Sequence, residues 1–317
     1  MAALAAIALL GAGCRPAADT ATIEAADPLT PLVLPAVAPV ALNDRPLRVA
    51  ATTSLVGDAV ARVGGEAIEL TTLMPPGQDP HSYQPGAADL TAAARADLIF
   101  VNGWSLEEGL LNDLATIGDG TALIPVSAGI TPLPAGGGAD PHVWQDVSNV
   151  VRWVDNIAAT LSAADLAHAP TYAANAVAYR AELADLDAFV RQQAATIPAE
   201  RRVLVTNHDT LAYFAAAYGF RVLGSVIPGA STLAEPTAAN LAALSRAMAA
   251  AGACSLFVET TASEQLTQTL AAELDGCDEV RVRTLYSDAL GPPGSDADSY
   301  VRMMRANVAA MVEGLGQ

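Results

Sequence analysis

The stretch TYAANAVAYRAELADLDAFVRQQAATI, residues 171–197, divides the chain into two parts and decides the expected fold. Between Tyr172 and Ile197 its large apolar side chains recur at spacings of three, four or seven residues, which is the period of one face of an α-helix. Pro170 precedes the stretch and Pro198 follows it, where prolines are typical of a helix start and end. A helix of about 26 residues at ~1.5 Å per residue would be roughly 39 Å long. We therefore predict one rigid helix that links two lobes and restricts large opening motions.

Short apolar runs alternate with helical patterns on both sides of this stretch, starting at Leu47. Alternation of strands and helices is typical of parallel sheets that helices cover on both faces. The predicted fold is therefore α/β, with two similar lobes, each a four-stranded parallel sheet flanked by helices, joined by the long helix. The predicted strands are residues 47–52, 68–73, 98–101, 122–126, 203–206, 220–226, 256–259 and 280–285.

The N-terminal segment has the features of an export signal. Residues 1–13, MAALAAIALLGAG, carry no charge, resemble the apolar part of a signal peptide and are too short to span a bilayer as a helix. Cys14 follows small residues, as at a bacterial lipoprotein cleavage site, so we expect residues 1–14 to be a lipoprotein-type signal peptide with an acylated Cys14. A plain signal peptide or a retained hydrophobic tail are the alternatives. Residues 15–46 lack an apolar period and are predicted to be a flexible tether. The remaining predicted units are a first lobe at 47–170, the linking helix at 171–198 and a second lobe at 199–317.

Composition limits the classes of partner. The chain has 317 residues, a length that suits two domains, and a net charge of −18 without any lysine. Such an acidic protein is not expected to bind nucleic acid or an anionic bilayer surface as its main partner. The two cysteines besides Cys14 are Cys254 and Cys277, and a pair in an exported protein favours a disulfide over two separate buried thiols.

Three of the four histidines occur in loops that directly follow predicted strands. His81 lies in GQDPHSYQP and His142 in ADPHVW, after the second and fourth strands of the first lobe. His208 lies in VTNHD, directly after the first strand of the second lobe, and Asp288 lies in YSDALG, after its last strand. In open parallel sheets, ligands bind in the crevice outside the carboxyl ends of the strands. The four side chains are therefore predicted to converge in a cleft between the lobes.

Three imidazoles and one carboxylate suit a borderline divalent ion, and zinc accepts this set in near-tetrahedral geometry at ~2.0–2.2 Å. The imidazoles must be neutral to bind, so metal binding should weaken as the pH falls. Glu259, at the end of the third strand of the second lobe, is a competing ligand or a hydrogen-bond partner of a ligand. His168 precedes the long helix and is expected to be a surface residue. We expect three further acids to support the ligands as hydrogen-bond acceptors: Asp79, Asp140 and Asp209.

Taken together, these motifs resemble the metal-specific solute-binding proteins of bacterial ABC importers, the zinc/manganese receptor family also called cluster A-I. The resemblance spans residues 47–317. It implies that the metal ligands are His81, His142, His208 and Asp288, and that one divalent metal ion lies between two lobes joined by a rigid helix. It further implies an extracytoplasmic receptor rather than an enzyme, which delivers the metal to the membrane permease of an ABC importer. We expect a monomer that is either anchored to the membrane by its N-terminal lipid or located in the periplasm. The stretches that carry the resemblance are VAATTSLVGDAVARVGG, LMPPGQDPHSYQPGAADL, ADPHVWQD, TNHDTLAYFAAAYGF and YSDALG…DSYVRMMRANV.

The residues favour zinc among the metals. Manganese-selective members of the family tend to carry a carboxylate at the third ligand position, which here is His208, and nitrogen ligands favour zinc over manganese. Many zinc-binding members, however, carry a long histidine-rich loop before the second ligand, where this chain has only PAGGG at residues 134–138. A manganese or dual-metal receptor is therefore the alternative. A remote alternative is a zinc hydrolase with Glu259 as base, although Asp288 would fill the position that a catalytic water needs. An added role in adhesion stays open.

Overall fold

A computed structural model describes residues 28–117, 121–260, 271–272, 277 and 280–316. Cys14, the predicted signal peptide and the first part of the predicted tether therefore lie outside the described residues. In the part of the chain that is described, no helix combines the length and the apolar character that crossing a membrane requires.

The first lobe is built on a parallel sheet of four strands in the order β2-β1-β3-β4. The central strands are apolar because helices cover both of their faces: β3 reads LIFV and all four of its residues are buried. The edge strand β2 reads IELTT and alternates between buried or half-buried and exposed positions. These strands are β1 (Leu47–Ala51), β2 (Ile68–Thr72), β3 (Leu98–Val101) and β4 (Ala122–Pro125), and the helices of the lobe are α1 (Ser54–Gly64), α2 (Ala87–Arg95), α3 (Glu108–Ile117) and α4 (Val147–Ala164).

Side-chain caps fix where two of these helices begin. The Thr53 hydroxyl accepts the Val56 N–H over 3.1 Å at the start of α1, directly after β1. The Asp146 carboxylate accepts the Ser148 N–H over 2.8 Å at the start of α4. Such caps satisfy N–H groups that the first helical turn leaves unpaired. Between β4 and α4 the chain forms a small antiparallel hairpin, β5 (Pro134–Ala135) and β6 (Gly138–Ala139).

The second lobe repeats this arrangement. Its strands are all parallel in two hydrogen-bonded pairs, β8 with β7 and β9 with β10, and β7 lies beside β9. The spatial order β8-β7-β9-β10 is therefore that of the first lobe. Between β7 and β9 a side chain takes the place of a backbone hydrogen-bond ladder: the Asn207 side chain accepts the Glu259 N–H over 2.9 Å. The elements of this lobe among the described residues are β7 (Val203–Thr206), α6 (Ala212–Tyr218), β8 (Arg221–Ser225), α7 (Ala238–Ala251), β9 (Ser255–Glu259), β10 (Arg281–Leu285) and α8 (Tyr300–Leu315).

The long helix α5 runs from Ala169 to Thr196, 28 residues, which corresponds to about 42 Å. It begins slightly earlier than predicted, with Pro170 inside its first turn, where proline needs no hydrogen-bond donor. One face packs against α1 and α4 of the first lobe and against α8 of the second. The predicted architecture, two α/β lobes joined by one long helix, is confirmed. The buried residues of α5 are Tyr172, Ala176, Tyr179, Leu183, Leu186, Val190 and Ala194.

The main hydrophobic core is continuous across the molecule. The same cluster contains Val49 of β1, Leu183 of α5 and Met304 of α8, all nearly inaccessible to solvent. Each lobe has in addition a smaller cluster on the other face of its sheet, around Ile99 in the first lobe and Met248 in the second. A core shared through α5 ties the lobes together, because separating them would expose apolar surface.

The tether prediction is wrong for its second part, residues 28–46. Leu32 is only 3 % exposed, and its carbonyl accepts the Gly129 N–H over 2.9 Å. Further along, the Val40 N–H donates to the Ala164 carbonyl over 2.8 Å. Prolines interrupt this stretch, so its apolar side chains follow neither helical nor strand spacing and show no period in the sequence. The partly buried side chains that pack on the core are Leu34, Val37, Val40 and Leu42.

Cys254 and Cys277 form a disulfide. Cys254 directly precedes β9, and Cys277 lies shortly before β10, so the bond joins the beginnings of two neighbouring strands.

Candidate metal centre

Four side chains from four strand-end loops meet in the cleft between the lobes. His81 follows β2, His142 follows β4 and its hairpin, His208 follows β7, and Asp288 follows β10. Each residue offers one ligand atom, and these atoms all lie within 4.8 Å of one another. All four side chains are buried, the most accessible being His81 at 2 %. The structure thus brings together the four residues that the sequence analysis selects.

The distances between the ligand atoms match one small ion. Nε2 of His142 lies 3.3 Å from Nε2 of His81 and 3.3 Å from Nε2 of His208. The Asp288 carboxylate lies 3.3 Å from Nε2 of His208 and 3.7 Å from Nε2 of His142. Ligands around a tetrahedral ion at ~2.0–2.2 Å are separated from one another by roughly 3.3–3.6 Å. The three separations of 3.3 Å therefore match ligands that share one small ion, and the whole cluster lies within 4.8 Å.

The repeated Asp-Pro-His motif produces the same local geometry twice. The Asp79 carboxylate accepts the backbone N–H of His81 over 3.0 Å, and the Asp140 carboxylate accepts the backbone N–H of His142 over 2.9 Å. In both loops the acid lies two residues before the histidine and the intervening proline restricts the backbone. The motif therefore fixes the direction in which each histidine leaves its loop.

The second ring nitrogen distinguishes the three histidines. Nδ1 of His142 lies 2.8 Å from the Asp140 carboxylate, within hydrogen-bond geometry, whereas Nδ1 of His208 lies 2.6 Å from the Glu259 carboxylate, an ion-pair contact without hydrogen-bond geometry. Nδ1 of His81 has no hydrogen-bond partner within the described residues. A carboxylate at the outer nitrogen orients a ring and makes it a stronger donor toward a metal. Two of the three imidazoles are thus oriented by an acid.

Glu259, the last residue of β9, is hydrogen-bonded to the loop that carries His208. It is 1 % exposed, and its Oε1 accepts the backbone N–H groups of Asn207 and His208 over 3.1 and 3.2 Å. Its other oxygen faces the ring of His208. Of the two roles considered for Glu259, the structure favours that of a ring partner over that of a direct ligand.

The charges of the cluster shift the pKa values of its members. Burial, with smaller contributions from the neighbouring His142 and His208, lowers the pKa of His81 to about 4, although Asp288 opposes the shift. Burial would also lower the pKa of His208, but Glu259 and Asp288 outweigh it and raise that pKa well above its ordinary value. For Asp288 burial raises the pKa, but His208 and the other two imidazoles dominate, and the net shift is downward. Asp288 is therefore a carboxylate, the form that binds a cation.

The remaining predicted residues lie at different distances from the cluster. The prediction that Asp209 supports a metal ligand is wrong. Its carboxylate instead accepts the Gly229 N–H over 3.0 Å and shapes the neighbouring loop. Asp79 supports His81 through the backbone and also accepts the Thr232 hydroxyl of the second lobe over 2.7 Å. His168 is half exposed and pairs with Asp165, outside the cluster.

Contacts between the lobes hold the ligand loops in register, and these contacts are not evident from the sequence. The Trp144 indole N–H donates to the Ser287 carbonyl over 2.8 Å, and the Leu290 N–H donates to the Ser54 hydroxyl over 3.0 Å. The partners are 143 and 236 residues apart in the chain, so no local pattern reveals them. The one available signal is that both Trp144 and Ser287 lie close to proposed ligands in sequence.

A cavity of about 370 Å³ opens beside His81. Its walls come from both lobes: Trp104 and Pro141 belong to the first, and Pro228 and Ser231 belong to the second. His81 is the only one of the four proposed ligands among the residues that line it. The cavity therefore lies on the His81 side of the cluster.

Comparison with known proteins identifies the family. The family model described as ZnuA, zinc-uptake complex component A, periplasmic, matches residues 49–314. The chain belongs to this family. Among curated relatives of this ZnuA-family chain, the manganese-binding lipoprotein MntA of Halalkalibacterium halodurans is 33 % identical over 315 residues, covering 98 % of this chain and 96 % of the relative. The manganese ABC transporter substrate-binding lipoprotein PsaA of Streptococcus pneumoniae is 31 % identical, covering 86 % and 89 %.

A solved structure shares the fold. The periplasmic zinc-binding protein TroA from Treponema pallidum matches with a TM-score of 0.79 and 31 % sequence identity, covering 86 % of this chain and 99 % of that chain. The ZnuA family consists of metal-binding receptors of transport systems, not of enzymes. This chain is accordingly a metal-binding substrate receptor of the ABC-transporter class, as the sequence predicts. The zinc-hydrolase alternative is not supported: Glu259, its proposed base, faces the ring of His208, and Asp288 completes the cluster.

Proposed function

We propose that this protein binds one divalent transition metal, zinc in the first place, through His81, His142, His208 and Asp288 and delivers it to the permease of an ABC importer. The observation that carries the proposal is the convergence of four buried ligand atoms within 4.8 Å of one another, with three of the separations at 3.3 Å. The ion is the transported substrate. A zinc ion with these four protein ligands would need no water molecule to complete a tetrahedral set, which suits a receptor that holds and releases its metal unchanged.

The ligand set supports zinc over manganese. Three imidazole nitrogens and one carboxylate in tetrahedral arrangement suit zinc, whereas manganese favours oxygen ligands and octahedral geometry. A manganese or dual-metal receptor is the second candidate, and the observation that favours it is the description of MntA and PsaA as manganese proteins. The solved relative TroA is described as zinc-binding, which supports the first.

We further propose that the receptor is an extracytoplasmic lipoprotein and acts as a monomer. Residues 1–14 would be the signal peptide, with Cys14 acylated, and the relatives MntA and PsaA are both described as lipoproteins. With part of the predicted tether packed on the first lobe, residues 15–27 would remain as the connection to the lipid. Beyond these we propose a first lobe at 47–170, the linking helix at 171–198 and a second lobe at 199–317.

The proposal is tested by measuring which metal binds and how many ions bind per chain. Zinc and manganese are titrated separately into the purified protein in competition with a chelator, and bound metal is counted by elemental analysis. We expect one ion per chain and tighter binding of zinc. His142→Ala should weaken zinc binding by more than the roughly 10–100-fold that loss of an outer partner costs, because a direct ligand is removed.

The matched control for this variant is His168→Ala, which removes a half-exposed histidine outside the cluster and should leave zinc affinity unchanged. Two or more ions per chain, or equal affinity of the His142→Ala variant and the wild type, would contradict the proposed site. Tighter binding of manganese than of zinc would favour the second candidate.

A further inference from the structure

A turn in the first lobe, residues 102–109, contacts both of that lobe's proposed ligand loops. Asn102 directly follows β3, and its side-chain amide donates to the Pro141 carbonyl over 3.0 Å, one residue before His142. At the other end of the turn, a Cβ atom added to Gly109 would lie 2.9 Å from the backbone oxygen of Tyr83. The loop that carries His81 therefore approaches α3 as closely as a glycine permits.

A buried acid holds this turn in place. Oε1 of Glu107 accepts the backbone N–H of Asn102 over 2.7 Å and the hydroxyl of Thr52 over 2.5 Å. All three residues are fully buried. Thr52 directly follows β1, so the carboxyl group joins the ends of the two central strands of the sheet.

Both of these hydrogen bonds are made by Oε1 of Glu107, and its buried Oε2 has no hydrogen-bond partner within the described residues. Burial raises the pKa of Glu107, although the Asn102 amide and the Thr52 hydroxyl donate to it and lower the pKa in part. Removing a carboxyl group from water is unfavourable unless hydrogen bonds compensate. An apolar side chain of similar size would fill the space without that penalty.

The backbone of the turn has an unusual conformation. Gly103, Trp104 and Ser105 have consecutive φ values of 106°, 50° and 55°. Positive φ is uncommon for residues other than glycine and persists where surrounding contacts enforce it. Trp104, in the middle of the turn, lines the same cavity as His81. The hydrogen bonds of Asn102 and Glu107 hold the residues directly before and after this stretch of positive φ.

We propose that Glu107 is a positioning residue for metal binding: it fixes the 102–109 turn, and the turn sets the distance between His81 and His142. This inference rests on the proposed function, because it assumes that both histidines bind the metal. Their Nε2 atoms must stay about one tetrahedral edge apart, and a site loses affinity when its supporting contacts allow displacements of a fraction of an ångström. Glu107 acts on the two rings indirectly, through Asn102 and the two ligand loops.

The first test compares two substitutions of the same residue. Glu107→Leu removes the acceptor and retains the size, whereas Glu107→Gln retains an oxygen that can accept both hydrogen bonds. Zinc affinity is measured by chelator competition, and the geometry of the site by the visible absorption spectrum of the cobalt(II)-loaded protein. We expect Glu107→Leu to bind zinc at least about tenfold more weakly, in line with the loss of a supporting hydrogen bond, and to change the cobalt spectrum. Glu107→Gln should remain close to the wild type in both.

A pair of matched asparagines separates positioning from stability. Asn102 donates to the carbonyls of Gly103 and Pro141, and Asn156 of α4 donates in the same way to the carbonyls of Val126 and Ala128. Both Asn102→Ala and Asn156→Ala should lower the melting temperature of the metal-free protein. Only Asn102→Ala should also weaken zinc binding and change the cobalt spectrum.

A glycine substitution tests the other end of the turn without removing a hydrogen bond. Gly109→Ala adds a methyl group to a helix, which favours helix formation locally, but the new Cβ would press on the Tyr83 carbonyl. We expect weaker zinc binding in a folded protein. Wild-type zinc affinity and an unchanged cobalt spectrum in Glu107→Leu, Asn102→Ala and Gly109→Ala would overturn the inference. If the wild-type protein itself bound neither zinc nor cobalt, the proposed function would fail and the inference with it.

Discussion

The indole nitrogen of Trp144 donates a hydrogen bond of 2.8 Å to the carbonyl oxygen of Ser287. Trp144 lies two residues after His142, a proposed ligand from the first lobe, and Ser287 directly precedes Asp288, a proposed ligand from the second. Both members of the bond are buried. The bond therefore joins the two ligand loops across the cleft, and displacement of either lobe has to break it or carry both loops along.

Trp144→Phe should weaken zinc binding by a few fold to about tenfold, because the variant loses a buried hydrogen bond worth about 0.5–1.5 kcal/mol while retaining most of the aromatic surface. The expected cause is faster release of the metal, which stopped-flow transfer to a chelator measures. Trp153→Phe is the matched control, since the Trp153 indole donates within the first lobe, to Ser127 over 3.0 Å. An equal loss of zinc affinity in both variants would mean that the bond across the cleft has no special role.

Glu259→Gln should lower zinc affinity by about 10–100-fold, the usual effect of losing the acidic partner of a metal-binding imidazole. The amide can still accept the backbone N–H groups at Asn207 and His208, so the fold of the loop is kept, but the negative charge beside Nδ1 of His208 is lost. Zinc affinity is measured by chelator competition at one fixed pH. Asp209→Asn serves as control, because Asp209 neighbours His208 in the chain but bonds to Gly229, and zinc affinity should hardly change.

The sequence predicts the position of the candidate ligands because that position follows from topology. Once strands are assigned, the loops after β2, β4, β7 and β10 must lie at the carboxyl edges of the two sheets. His81 and His208 are therefore assigned to the cleft by their place after strands, without knowledge of side-chain direction. The identity of the acid that contacts the outer ring nitrogen does not follow from topology. Asp140 and Asp209 each neighbour a histidine in sequence, but only Asp140 points to its ring, because side-chain direction depends on loop conformation.

The packing of residues 28–46 is not predictable from the sequence, for a related physical reason. Periodicity detects helices and strands, whose regular backbone places side chains on one face. Leu32 and Val40 are held by single backbone hydrogen bonds and local packing against the first lobe. Such contacts depend on the shape of the lobe surface, which the sequence of the segment itself does not contain.

Asp97→Asn should destabilise the protein at neutral pH by about 2 kcal/mol, the scale of hydrogen bonds to a charged group. Both terminal nitrogens of the Arg45 guanidinium donate to Asp97, over 2.6 and 2.7 Å, and the Arg48 N–H donates to it as well. Burial would raise the pKa of Asp97, but the Arg45 side chain and the Arg48 N–H outweigh it, and the net shift is downward. A carboxyl group with a depressed folded-state pKa stabilises above its unfolded pKa of about 3.9, and this stabilisation is lost as the pH falls through the folded value.

The difference in unfolding free energy between the wild type and Asp97→Asn should therefore be constant near neutral pH and shrink below about pH 4. Urea denaturation of the metal-free proteins at a series of pH values measures it. Asp209→Asn is a suitable comparison, because the Asp209 carboxylate accepts a backbone N–H, that of Gly229, and no guanidinium group donates to it within the described residues. A difference that stays the same at acid and neutral pH would argue against the assigned role of the charge.

Leu32→Ala should lower the free energy of unfolding by about 2–4 kcal/mol, as truncation of a buried leucine does. Leu32 is 3 % exposed and lies against Gly103, whose missing side chain leaves room for it. The adjacent residue provides the control: Val33 is 75 % exposed, so Val33→Ala should change stability by less than about 0.5 kcal/mol. Urea denaturation of the metal-free proteins compares the two variants with the wild type. If residues 28–46 were a free tether, both variants would unfold at the wild-type urea concentration, whereas a packed segment requires that only Leu32→Ala unfold earlier.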